Sequence, residues 1–232
     1  MLFIDRTLVA SAFFMACFFS VAVHADGGIV LGGTRVIYSA TQKESSISVR
    51  NSSDTSRYMV QSWIDNQHGD KTSDFVVTPP LYISNPGSEN ILRLMYVGSP
   101  LPSDRETLFY LIVKAIPAID KKETIGKNVL MLSAATRIKL FVRPAGLKPS
   151  PSEAPSRLQV SVIGDQALIK NPTPYYITIV KIKSGTRALN ESMMVPPFSE
   201  ENLKLPSDKT DKLSFRTVND FGGFSDEKVW QF

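Results

Sequence analysis

Cysteine and histidine are almost missing from this chain: its 232 residues include one Cys and two His. That excludes a disulfide framework and a cysteine-based zinc site, and it leaves little for histidine catalysis. No glycine period suggests a fibre, and an apolar share of 43% is too high for a disordered chain. Long hydrophobic runs are missing too. The apolar stretch from Leu8 to Val23 falls short of the ~20 residues a spanning helix needs, and no second one follows. With Arg6 before it and Val23-His24-Ala25 after it, residues 1–25 read as a secretory signal peptide removed after Ala25. Removal of those 25 leaves 207 of the 232 residues and takes Cys17 and His24 with it. Asp5 and Arg6 leave together, so the formal net charge stays at +4.

An exported chain without cysteine must hold itself together by packing alone. The remaining histidine, His68, sits in the polar stretch NQHGDK, and no G-x-S-x-G elbow accompanies it, which argues against a hydrolase. There are no carboxylate clusters of metal-ligand spacing, so neither a metal nor another cofactor is expected. A spread charge of +4 on an exported chain also argues against nucleic-acid binding.

What the chain does have is period-2 alternation. In SSISVRN, Ile47 and Val49 oppose Ser46, Ser48 and Arg50; in RYMVQSWID, Tyr58, Val60 and Ser62 oppose Met59, Gln61 and Trp63. Further β-rich runs follow at Ile91 to Val97 and Glu106 to Pro117, and again after Leu147 in RLQVSVIG, YYITIVKIK and KLSFRTV. Turn clusters such as NSSDTS, NPGSEN and NPTP separate them, and no window carries an apolar stripe at helical spacing. Residues 143–156 hold four prolines among small and polar residues, a composition suited to a stiff linker and not to a sheet. The predicted fold is therefore all-β: two immunoglobulin-like sandwiches joined by a short hinge, residues 26–146 and 147–232. Trp63 reads as a core residue.

One run breaks the half-buried rule. From Asn128 to Pro144, apolar residues occupy both faces: Val129 to Leu132, then Ile138 and Leu140 to Val142. Two readings stay open. The strand is central and buried on both sides, or it is an edge whose outward row awaits a partner.

The motifs TRVIY (Thr34 to Tyr38), SWID, TPP, PGSENILRL, DRETLFYL, RIKLFVRP (Arg137 to Pro144), NPTPYYIT and NDFGG stand in one order around the linker. Together they resemble the PapD-like periplasmic pilus chaperones. The resemblance implies two immunoglobulin-like domains in a boomerang and a non-enzymatic task. The chain would capture pilus subunits that lack their last strand, lend them an edge strand, and pass them to an outer-membrane usher. The lending residues it implies are Asn128, Leu130, Leu132 and Ala134, the last smaller than the bulky residue often found there. It also implies that Arg35 and Lys139 hold the subunit's C-terminal carboxylate, and that Glu106, Arg143 and Asp220 form an interdomain ionic cluster.

The short cysteine-free segment PAIDKKETIGKN resembles the short-loop subclass. Self-association of the free protein through the donor strand is left open. So is the alternative role of an exported immunoglobulin-like structural subunit or adhesin, although such subunits carry a donor extension and lack the Arg35/Lys139 pair. Leu130 and Lys139 have opposite parity, so presenting both to one partner predicts a bulge or a pronounced bend between them.

Overall fold

Alternation along the chain becomes two β-sandwiches. The computed structural model describes residues 27–118, 126, 128, 130–206 and 211–232; the signal-peptide reading and its cleavage after Ala25 lie outside them. In the first sandwich one sheet has the order β1 (Ile29–Leu31), β3 (Ser45–Asn51), β7 (Glu89–Tyr96), β5 (Phe75–Thr78). The facing sheet runs β2 (Arg35–Ser39), β9 (Ala134–Arg143), β8 (Thr107–Pro117), β4 (Tyr58–Asp65), β6 (Leu81–Ser84). Every second residue points inward: Ile47 and Val49, Leu92 and Leu94, Phe75 and Val77 meet Val60 and Ile64, Leu111 and Val113, Leu140 and Val142. The rings of Tyr38, Tyr96 and Phe109 surround Phe75 edge-on at 5.1–5.7 Å, the arrangement that aromatic quadrupoles favour.

The second sandwich stacks β10 (Gln159–Ile163), β11 (Gln166–Asn171) and β15 (Ser199–Lys204) on a second sheet. That sheet comprises β12 (Ile177–Ser184), β13 (Arg187–Ala188), β14 (Met193–Val195), β16 (Lys212–Thr217) and β17 (Lys228–Gln231). In β12 the register against β16 slips between Val180 and Lys183, and Lys181 takes φ 52°. The slip lets Ile179 and Ile182, three apart, both reach the core. Ahead of β12, the Asn171 side chain donates to the carbonyls of Tyr175 and Pro196 at 2.7 and 2.9 Å and accepts from the Thr173 amide. This fixes the NPTP turn and so aims Tyr176 and Thr178 at the first domain. The proline-rich stretch is a series of turns ending in a short 3-10 helix, Ala154–Arg157. It is moored to the second domain by Leu147 and Leu158.

Both readings of the two-faced strand hold, each for half of it. The C-terminal half of β9 lies between β8 and β2, in parallel register from Arg35↔Lys139 to Ser39↔Arg143. From Ala134 to Ile138 it pairs with β8 alone, and its other edge is open. Ahead of Ala134 the ladder stops, and residues 130–133 have no strand partner. The β8 residues that would continue the pairing are Ile116 and Pro117, and proline has no N–H to give.

From Ala134 to Val142 the register of β9 against β8 is unbroken, so no bulge lies in that part of the span between Leu130 and Lys139. The bulge was predicted on the premise that a partner faces one side of the strand. A strand added at the edge lies in the plane of the sheet and reaches both faces. Trp63 also departs from expectation. It stands half-buried on the outer face, opposite Val60, Ser62 and Ile64, and its indole donates to Asp65 Oδ1 at 2.8 Å.

Candidate functional site

The parallel pairing of β2 with β9 puts Arg35 directly beside Lys139 at the point where the open edge of β9 ends. Both side chains point away from the sandwich core, toward the second domain. Arg35 Nη1 donates to the Val218 carbonyl at 3.2 Å, and Lys139 Nζ donates to Thr178 Oγ1 at 2.9 Å. These acceptors are neutral. Among the described residues neither cation forms an ion pair, and Arg35 Nε is buried without a partner. Burial first, and the neighbouring Arg35 second, push the Lys139 ammonium down to about 8. Burial also lowers Arg35, against the pull of Asp220 and Glu106. Buried charges are ordinarily paired, and two adjacent cations whose hydrogen bonds go only to neutral oxygens have donor capacity suited to an anion.

The neighbouring cluster is the contrast case. Arg143, at the end of β9, donates to Glu106 Oε1 at 2.7 Å, and forks onto both oxygens of Asp220 at 2.6 and 2.7 Å. The second Glu106 oxygen accepts from the Tyr176 amide at 2.8 Å. Burial pushes Glu106 above the usual carboxylate range even though Arg143 opposes it. For Arg143, burial alone acts downward, but the bonds to Asp220 and Glu106 outweigh it and hold the guanidinium above its ordinary value. With its charge matched on both sides, Arg143 ties the end of β9 to Glu106, just ahead of β8, and to Asp220 in the loop after β16, while Glu106 itself reaches the Tyr176 amide just ahead of β12. Phe141 stacked on Tyr176 at 5.6 Å adds an apolar contact across the same seam.

This cluster bridges the two domains beside a cleft of about 360 Å³ that Arg35, Phe141, Tyr176, Val218 and Phe221 help to line. Arg143→Ala leaves Glu106, with its side chain 1% exposed, buried and unpaired. We expect a loss of about 3–5 kcal/mol in urea unfolding. Adding Glu106→Gln recovers part of it, because the orphaned charge is then gone.

The remaining expected residues fall on the other side of Lys139. Leu130 and Leu132 are 83% and 73% exposed, Asn128 and Ala134 are exposed, and only Ala134 belongs to a strand. Leu130, Leu132 and Ala134 share the parity of Ile138, Leu140 and Val142. A continued strand would therefore carry the core row outward, past the end of its own sandwich. Thr178 and the Val218 carbonyl, which hold the two cations in place, were not singled out in the sequence. They lie inside or next to matched motifs, but nothing in their residue types marks them.

Two immunoglobulin-like domains, with adjacent cations at the end of an open strand edge, are the arrangement expected of a strand-lending protein, and relatives narrow the class. Residues 28–148 match the family described as "Pili and flagellar-assembly chaperone, PapD N-terminal domain", and residues 153–229 match "Pili assembly chaperone PapD, C-terminal domain". The chain belongs to this family of pilus-assembly chaperones. It is 45% identical over 203 residues to the probable fimbrial chaperone SfmC of Escherichia coli strain K12, with 88% of each chain covered. Against chaperone protein FimC of the same strain the identity is 43% over 206 residues, covering 88% of this chain and 85% of that one.

Among solved structures, the periplasmic chaperone SfaE superposes with a TM-score of 0.76 at 38% identity, over 87% of this chain and 98% of that one. A chain of the Salmonella enterica SafA pilin–SafB chaperone complex gives 0.81 at 29% identity, over 90% and 98%. The protein is thus a periplasmic pilus-assembly chaperone and not an enzyme, and the alternative of a structural subunit or adhesin is set aside.

Proposed function

We propose that this chaperone captures pilus subunits by lending them the segment from Asn128 to Ala134 while Arg35 and Lys139 hold the subunit's C-terminal carboxylate. The observation that carries the reading is the pair of adjacent cations, without an ion pair among the described residues, at the place where the free edge of β9 ends. Strand addition at an exposed edge takes affinity from main-chain hydrogen bonds and selectivity from alternate side chains, and chaperone–pilin pairing is an established instance of it.

The geometry sets the direction. A chain that pairs with Ala134–Ile138 and ends at Lys139 runs parallel to β9, collinear with β2. The carboxylate would meet a planar donor fork from Arg35 and a compact ammonium from Lys139, both charge-assisted. Fixing the chain end also fixes the register, and a slip of one residue would turn every side chain to the wrong face. Leu130 and Leu132, in the apolar groove of an incomplete subunit, contribute about 1.5–3 kcal/mol each.

In this reading residues 26–146 carry the lending strand and residues 147–232 close the cleft. The segment PAIDKKETIGKN places the chain with the short-loop subclass, and the loaded chaperone delivers its subunit to an outer-membrane usher. Residues 1–25 direct export and are removed after Ala25. Purification from the periplasm, with intact-mass analysis of everything that co-elutes, tests capture and processing together. We expect a chaperone beginning at Asp26 in a one-to-one complex with a pilus subunit. A chain that retains residues 1–25 refutes the cleavage site, and a preparation free of subunits in cells that express them refutes the capture.

A further inference from the structure

The turn after β16 is held from three sides and yet presents an aromatic ring to solvent. Asn219 Oδ1 accepts from the amides of Phe221 and Gly223 at 3.0 and 2.9 Å, and the Asn219 amide donates to the Gly223 carbonyl at 2.9 Å. The flanking residues are tied to the first domain: the Val218 carbonyl by Arg35, and Asp220 by Arg143. Gly222, at φ 84°, packs so closely on Thr34 that any side chain there would collide with it.

Within this clamped turn Phe221 is 95% exposed, the highest value for a large apolar side chain among the described residues. It lines the same cleft as Arg35, Phe141 and Tyr176. Lone apolar residues on a surface are ordinary. This one is fixed relative to the anchor, because the segment that carries it is hydrogen-bonded to Arg35 itself.

We infer that Phe221 is a second, apolar contact for the subunit's chain end, selecting subunits that carry bulky apolar side chains in the last few residues before the carboxylate. The inference rests on Arg35 and Lys139 being the carboxylate anchor. An extended chain ending at Arg35 advances about 3.3 Å per residue, so only residues close to the carboxylate share the cleft with Phe221. The backbone that carries the ring is already held by the turn's hydrogen bonds, so only the side chain has to be ordered on binding, which suits it to discrimination.

The test uses the full-length mature chaperone and two strand-forming peptides of about twelve residues with free carboxylates. They differ only in whether the three residues before the last are leucine or serine. We expect the unmodified protein to prefer the leucine peptide by about tenfold. Phe221→Ala should abolish that preference, Phe221→Leu should retain most of it, and affinity for the serine peptide should not move. An undiminished preference in Phe221→Ala, or an equal loss for both peptides, overturns the inference. A leucine peptide with an amidated end separates the two readings: if amidation leaves affinity unchanged, the carboxylate anchor fails, whatever Phe221 does.

Discussion

Lys139→Ala and Arg35→Ala each lower affinity for a pilus subunit by about 2–5 kcal/mol, or roughly 30- to 5,000-fold, the range for deleting one side of a buried hydrogen-bonded charge pair. The free protein should respond in the opposite sense. Lys139 is desolvated and faces Thr178 Oγ1 and the cation Arg35, with Tyr110 opposite on β8. Its charge is therefore a strain on the unoccupied chaperone. Lys139→Met should raise free-state stability by about 0.5–2 kcal/mol while abolishing capture. A drop in both would mean that the lysine is structural.

The same ammonium makes capture pH-dependent. In the free chaperone burial and Arg35 push it down to about 8; the proposed carboxylate would raise that value, so the complex would hold the proton more tightly than the free protein does. Affinity is then fully present below pH 8. It falls as pH rises from about 8 toward the value in the complex, by at most tenfold per unit for one proton. Stability of the free protein moves the other way: with the folded value below the ordinary 10.5, it increases between about pH 8 and 10.5. In Lys139→Arg the charge persists through this window, so subunit titrations should show no such slope between pH 8 and 10.

How much of this was legible beforehand differs from residue to residue. Period-2 alternation specifies which face of a strand is wet, so the inward rows at Ile47/Val49 and Val60/Ile64 could be read directly. Alternation does not say which strands are neighbours. The two-faced run at 128–144 was ambiguous because one strand is central over Lys139–Arg143 and an edge over Ala134–Ile138, a difference made by where β2 begins. Trp63 was misplaced because size and apolarity suggested core, whereas its parity with Met59 and Gln61 already put it outside. Arg35, Lys139 and the Glu106–Arg143–Asp220 cluster came from a family resemblance; their spacings, from about 40 to more than 100 residues, carry no local signal. Thr178 and the Val218 carbonyl come into play only when two domains face each other, and no single-chain pattern encodes that.

Leu132→Glu weakens subunit capture by roughly a thousandfold: about 1.5–3 kcal/mol of apolar burial is lost and a carboxylate is forced into an apolar groove without a partner. The free chaperone should not notice, since Leu132 is 73% exposed and surface changes of this kind stay within about 0.5 kcal/mol. Parity supplies the control. Met131 is also exposed, at 59%, but lies on the other row, out of step with Ile138, Leu140 and Val142. If residues 130–133 become a strand only when a subunit completes the ladder, Met131→Glu points away from the groove and costs at most a few-fold. Measured side by side, a large loss for Leu132→Glu and a small one for Met131→Glu require an extended segment in the register of β9. Equal losses would mean that these residues bind as an irregular apolar patch, and the strand-lending account of this segment would have to be abandoned even if the carboxylate anchor survived.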